Sequence, residues 1–163
     1  MAEEFGITDA IHFAGMQKEP YKYLKKGEIC LLTSQNEGFP NALVEGMALG
    51  LAPISVNCMT GPAEILLKEG DTCGLENQFA AMKNDKRTPV IYGEYGILLP
   101  EMEKERNLDV TVIKEEEVLL SKVIIRLLKE QEILSKYQQA AYKRAQDFTY
   151  ESYIKHFLHL ADK

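Results

Sequence analysis

Apolar residues fall first into short runs and then into long stripes, and the change of period divides the chain. Ile29–Thr33 (ICLLT) is a continuous apolar run of strand length, the pattern of a strand covered on both faces in a parallel sheet. Ile11–Ala14 (IHFA), Pro53–Val56 and Gly96–Leu99 (GILL) read as three further short strands. Helices are predicted between them. PYKYLKK begins at Pro20, where proline suits the first turn, and closes at Gly27. Asn41–Leu49 is stopped by Gly50, with Pro53 soon after. Gly61-Pro62 opens AEILLKE, which Gly70 ends. Asp71–Glu94 is polar and mixed in charge, and predicts a long loop with about one helical turn and no assignable function.

The last third has helical period. Leu120, Val123, Ile124, Leu127 and Leu128 form one stripe, and Tyr150, Tyr153, Ile154, Phe157, Leu158 and Ala161 form another, with Thr149 as its N-cap. A more polar helix, Glu132–Asp147, lies between. Both stripes read as packing surfaces. Short strands alternating with helices predict parallel βαβ units, hence an α/β, Rossmann-like sheet with flanking helices. We expect one domain over residues 1–163: a βα core over 1–114, irregular at 71–94, then C-terminal helices over 115–163. Ligands of such folds sit at the C-terminal ends of the strands, and the loop after ICLLT is one such position.

Composition narrows the function. The chain has 163 residues, 45% hydrophobic and 27% charged, enough for one ordinary core. Its net charge is −6 and no basic stripe alternates with aromatics, which excludes nucleic acid as an expected partner. Lys22, Lys25 and Lys26 read as a solvated helix face. No apolar run reaches the roughly 18–20 residues that span a bilayer, and MAEEFGITDA lacks the apolar segment of a signal peptide. Three isolated cysteines (Cys30, Cys58, Cys73) fit a reducing compartment, so a cytoplasmic location is expected, with Cys30 a buried thiol. His12 reads as structural, and His156 and His159 as surface residues rather than metal ligands. No Walker pattern, GxGxxG or Ser/His/Asp arrangement occurs.

Chemistry concentrates in Thr33–Gly50. The strand ends at Thr33-Ser34, and a turn with Asn36, Glu37 and Gly38 leads to Pro40 and a helix. Gly38 permits close approach of a ligand to the backbone, and the helix start favours an anion such as phosphate. The helix NALVEGMALG is apolar nearly all round, so Glu45 is expected to be buried and to meet a cation, ligand hydroxyls or backbone amides. Glu37 places a second carboxylate at the other end of the tip, and carboxylates accept well from sugar diols.

EGFPNALVE, Glu37–Glu45, resembles the E-x7-E signature of retaining, nucleotide-sugar-dependent glycosyltransferases of the GT-B fold, especially glycosyltransferase family four. IHFAGMQKEPYKYLKKGEICLLTS, ALGLAPISVNCMTGPAEIL, YGILLP and the terminal helices fit the same family, and the likeness is weakest over Asp71–Glu94. The resemblance implies an incomplete C-terminal, donor-binding domain that transfers a hexose from a UDP- or GDP-linked sugar, with retention, to a saccharide or lipid-linked acceptor in cell-surface polysaccharide or lipopolysaccharide synthesis. It implies that Glu45 binds the ribose, and that Glu37 faces the hexose and helps stabilise an oxocarbenium-like transition state. Backbone amides around Gly38, Phe39 and Pro40 would hold sugar hydroxyls and diphosphate. Ser34, Asn41 and Leu43 would line the donor site, and Gly15 and Met16 would lie near the base. No metal or other cofactor is implied.

The chain also departs from the family. It begins near the family's third strand and lacks both a Gly-Arg…Lys-Gly segment that contacts the diphosphate and the acceptor-binding N-terminal domain. The expectation is therefore a fragment or a split-enzyme subunit, inactive alone. The missing half or a partner chain would supply the acceptor site and any peripheral contact with the inner membrane. ICLLT is expected to expose a bare sheet edge open to self-association, unless Ile11–Ala14 pairs beside it. Gly46 stands where the family often has Ala, with no change of role expected. The competing functions are an epimerase or phosphorylase of the same fold and a non-catalytic remnant that only binds sugar nucleotide or a partner.

Overall fold

The computed structural model describes residues 2–58, 60–85, 88–103, 109 and 111–161, without the side chains at 156, 157, 160 and 161. Four strands form one sheet in the order β1-β2-β4-β3: β1 Ile29–Leu32, β2 Ala52–Val56, β3 Ile91–Tyr92 and β4 Ile97–Leu99. β1, β2 and β4 are parallel, with Ile29 opposite Ala52 and Ile54 opposite Ile97. All five residues of β2 are buried, as expected of a central strand covered on both faces. The α/β architecture is as the alternating pattern predicts.

Alternate residues of β4 feed two cores. Leu98 packs with Leu43 and Met47 of α2 (Asn41–Ala48), Ile65 and Leu66 of α3 (Pro62–Leu66), and Leu75 and Phe79 of α4 (Leu75–Asn84). Ile97 and Leu99 pack with Val123 and Leu127 of α5 (Glu115–Lys129) and with Leu134 and Tyr137 of α6 (Gln131–Ala145). Helix α6 also reaches the first core through Ala141 and Ala145, and lies against both α2 and β2.

Several expectations fail, each for a physical reason. Ile11–Ala14 forms no strand: Ile11 and His12 are exposed and Phe13 is 83% exposed, in an extended stretch before the short α1 (Tyr21–Leu24). A four-residue apolar run becomes a strand only where it finds an edge to pair with, and it does not join β1. Among the described residues β1 pairs with β2 alone, so the bare edge expected at ICLLT is present, with Leu31 45% exposed. Residues 71–94 are not a loop but contain α4 and β3. Leu75 and Phe79, four apart, bury one side of α4, and Ala80, Ala81 and Met82 favour helix, which outweighs the polar remainder. β3 runs antiparallel to β4, so the sheet is mixed.

The stripe on α7 (Tyr150–Ala161) is not a covered surface, because Tyr150, Tyr153 and Leu158 are exposed. Ile154 is half-buried, and the side chains of the remaining expected members Phe157 and Ala161, and of His156, lie outside those described. His159 is exposed. Thr149 does cap α7: its Oγ1 accepts from Ser152 N at 3.3 Å and its carbonyl from Tyr153 N at 3.0 Å. Lys22, Lys25 and Lys26 are exposed, as a solvated face requires. Among the described residues no helix is long and apolar enough to cross a membrane.

Candidate functional site

The loop between β1 and α2 is built by its neighbours. Pro40 is buried, and its carbonyl accepts from Leu43 N at 3.0 Å at the start of α2. The loop between β2 and α3 clamps it. Thr60 Oγ1 donates to the carbonyls of Glu37 at 3.0 Å and Gly38 at 3.2 Å. Gly61 has φ +98°, and a Cβ there would collide with Pro40 Cδ and lie 3.0 Å from the Gly38 carbonyl. No L side chain fits such a contact, so glycine is needed for the two loops to touch. The Gly61 amide donates to Glu64 Oε2 at 2.7 Å, which satisfies one donor at the start of α3.

Glu37 is half-buried at this junction, beside the buried Cys58 that follows β2. Burial pushes the Cys58 thiol up. The carboxylates of Glu37 and Glu101 raise it further, while the amides of Cys58 and Glu37 pull it partly back. A closed, neutral thiol thus sits behind the loop. Cys30 is only half-buried, less than expected, and burial raises its thiol too; Cys73 is exposed. Iodoacetamide at mildly alkaline pH is expected to label Cys73 well ahead of Cys58, which should react only in denaturant. Peptide mass spectrometry reads this order, and equal labelling would contradict the closed packing behind Glu37.

Phe39 is half-exposed and stands against Phe148, ring centroids 5.5 Å apart. Phe148 in turn lies under the Arg144 guanidinium of α6, 4.8 Å from its ring centre, and Tyr95 lies 4.9 Å away on the same group. Arg144 Nη2 donates to Glu64 O at 2.9 Å, Nε to Ile65 O at 3.3 Å and Nη1 to Asp147 Oδ2 at 2.8 Å. One side chain therefore satisfies carbonyls in the last turn of α3 and backs the aromatic of the β1–α2 loop.

Glu45 is not buried. Helix α2 turns Leu43, Gly46 and Met47 inward, and leaves Asn41, Ala42, Glu45 and Ala48 exposed as one face. The alanines misled the apolar count, since alanine sits as readily at the surface as in a core. Leu43 is fully buried, so its side chain packs in the core rather than lining a ligand site. Gly38 is open, with nothing within 4 Å of where a Cβ would be, and Ser34 is half-buried at the strand end. Gly15 (φ +61°) and Met16 stand in solvent, and Met16 is fully exposed. Glu37, Gly38, Phe39, Pro40 and Asn41 share the α2 tip, and Glu45 lies one turn further along the exposed face of the helix; Gly15 and Met16 lie on an uncovered segment. Thr60, Cys58, Arg144 and Phe148 were missed. The Gly-Pro turn was a visible signal for the first pair, but nothing local signals Arg144 or Phe148, more than a hundred residues from the loop. Among the described residues no three His, Cys, Asp or Glu side chains gather as a metal site.

Residues 1–86 match the model of the family described as glycosyl transferases group 1. The chain belongs to this family. An uncharacterized glycosyltransferase, MJ1059 of Methanocaldococcus jannaschii, is 31% identical over 158 residues, 95% of this chain but 36% of that relative. The lipopolysaccharide 1,6-galactosyltransferase of Escherichia coli K12 is 39% identical over 67 residues, 39% of this chain and 19% of that enzyme. The chain thus spans about a third or less of the curated relatives it matches. A solved structure, the GtfA/B complex, superposes with a TM-score of 0.65 at 20% identity over 97% of this chain and 25% of that one. That likeness agrees with a GT-B, Rossmann-like fold. The group 1 match runs through the β1–α2 tip and the Thr60–Pro62 clamp and extends into α4, which had seemed the least related part.

Proposed function

We propose that this chain is the donor-binding part of a glycosyltransferase that moves a hexose, with retention, from a UDP- or GDP-linked sugar to a saccharide or lipid-linked acceptor in cell-surface polysaccharide or lipopolysaccharide synthesis. The observation that carries this reading is the α2 tip: Glu37 half-buried before it, Glu45 on the open face behind it, and an uncovered Gly38 between. The positive dipole end of α2 favours a diphosphate, Glu45 accepts from ribose hydroxyls, and Glu37 accepts from the hexose and opposes positive charge developing at its anomeric carbon. Ser34, Phe39, Pro40 and Asn41 complete the wall through their backbone or polar groups. No metal enters this scheme. The relatives' names support the reaction class.

The exposure of Glu45 and the bare β1 edge favour a chain that works with another half, covalent or separate. That half would supply cations for the diphosphate, the acceptor site and any membrane contact, and alone this chain would be inactive. A donor-site test needs no turnover. UDP or GDP, with or without sugar, should raise the melting temperature of the chain, because a ligand of the folded state stabilises it. Glu45→Gln should weaken the nucleotide-diphosphate shift about tenfold in apparent affinity, whereas Glu37→Gln should act on the sugar-linked donor and spare the free nucleotide. No shift with any nucleotide, or equal losses in the two variants, would reject these roles and leave the non-catalytic remnant.

A further inference from the structure

The turn that opens α3 does more than brace the β1–α2 loop. Thr60 Oγ1 donates to two successive carbonyls, of Glu37 at 3.0 Å and of Gly38 at 3.2 Å. One hydroxyl thus gathers two peptide groups that follow one another. The described peptide bonds are trans, so each N–H points opposite to the carbonyl of its own peptide group. The Gly38 and Phe39 amides belong to those two groups, and both are therefore turned away from Thr60. Among the described residues neither amide donates to a backbone carbonyl. The space beside them is open, with nothing within 4 Å of where a Cβ of Gly38 would be.

The hydroxyl is held in place without help from the loop it grips. Threonine is β-branched and stiff about χ1. The next residue, Gly61, is fixed by its amide on Glu64 Oε2 at 2.7 Å and by its contact with Pro40, and Pro62 sets the φ that follows. Arg144 ties this turn down by donating to the Glu64 and Ile65 carbonyls. Thr60 is itself exposed, so water replaces a lost hydroxyl at little cost in stability. What water does not replace is the fixed direction of the two peptide groups.

We propose that Thr60 is a positioning residue for the sugar donor: its hydroxyl aims the Gly38 and Phe39 amides at the sugar-phosphate end of the nucleotide sugar, where they donate to phosphate or hexose oxygens. The proposal rests on the donor-site reading above. Two N–H groups on one side suit an oxygen-rich group, and amides already aimed need no reorganisation when it arrives.

Isothermal titration calorimetry of the full chain tests this with two series of probes, UMP, UDP and UDP-galactose, and GMP, GDP and GDP-mannose. The parent is compared with Thr60→Val, which keeps shape and branching without the hydroxyl, and with Thr60→Ser, which keeps the hydroxyl. Thr60→Val should weaken the sugar-linked probe about tenfold while melting close to the parent, and serine should restore most of the affinity. The monophosphate, which lacks the distal phosphate and the hexose, should bind all three proteins alike. A loss already present with the nucleoside diphosphate places the amides on the distal phosphate, and a loss only with the sugar-linked probe places them on the hexose. No loss in Thr60→Val, an equal loss with the monophosphate, or no rescue by serine overturns the inference. If the parent binds none of the probes, the donor-site reading falls instead, and amide resonances decide the positioning. Those of Gly38 and Phe39 should move in Thr60→Val and return in Thr60→Ser, and unmoved resonances overturn the aiming role.

Discussion

Arg144→Met is expected to lower the unfolding free energy by about 3 kcal/mol, the largest single effect we foresee. The estimate combines loss of charge-assisted hydrogen bonds to the Glu64 and Ile65 carbonyls with loss of two guanidinium–aromatic contacts, less the ordering entropy that methionine partly retains. For a chain of this length that is a fall of roughly 6–12 °C in melting temperature. The consequence should reach the β1–α2 loop, because Phe148 loses the group above it and Phe39 loses the support of Phe148. Amide hydrogen exchange over residues 39–43 should accelerate by more than in distant α5, after allowing for the global change. Arg144→Lys keeps the charge but not the planar fork, and should recover little. Urea melts within about 0.5 kcal/mol of the parent protein would show the fork to be ornamental.

The second large effect concerns Gly46. A Cβ at this position would collide with Cys30 Sγ and lie 2.8 Å from Cys30 Cβ, so α2 must lift from β1 to admit it. No change of role was expected of glycine here; the structure gives it one in packing. Overpacking typically costs about 1–3 kcal/mol, and the better helix propensity of alanine returns up to about 1 kcal/mol. Gly46→Ala should therefore destabilise by about 1–2 kcal/mol net. Cys30→Ala in the same chain removes Sγ but not Cβ, so it should recover part of the loss and no more. Denaturant melts of the two single variants and the pair yield the coupling energy. A Gly46→Ala variant as stable as the parent would mean the helix–strand spacing is softer than drawn. Since Glu45 precedes this contact, the same substitution should also reduce the nucleotide-induced melting shift of the proposed donor site.

Much of this protein was legible from its residues. The apolar run ICLLT, the short strand at Pro53–Val56 and the alternation of strand and helix declared an α/β sheet before any contact was known. That Glu37, Gly38 and Glu45 fall on one strand–loop–helix was readable because their spacing along the chain is local: seven residues separate the two carboxylates. The E-x7-E run and the Gly-Pro turn carried the family. Ile11–Ala14 and residues 71–94 went astray for one shared reason. Pattern describes what a segment prefers, and whether the preference is realised depends on an available partner: an edge for IHFA, a core cavity for Leu75 and Phe79. Burial of Glu45 was misjudged because Ala42 and Ala48 counted as apolar while doing the work of small surface residues.

The sequence by itself determined the layer architecture, the strand–loop–helix that carries the two glutamates and the family to which they belong, since each rests on neighbours in the chain. Only the tertiary structure decided what braces that loop: Thr60 on its carbonyls, Gly61 against Pro40, and Arg144 and Phe148 behind Phe39. It also decided which face of α2 looks outward, and that Ile11–Ala14 does not close the open edge of β1. These are matters of distance between segments far apart in number, where the free energy of a contact depends on geometry that no local spacing encodes.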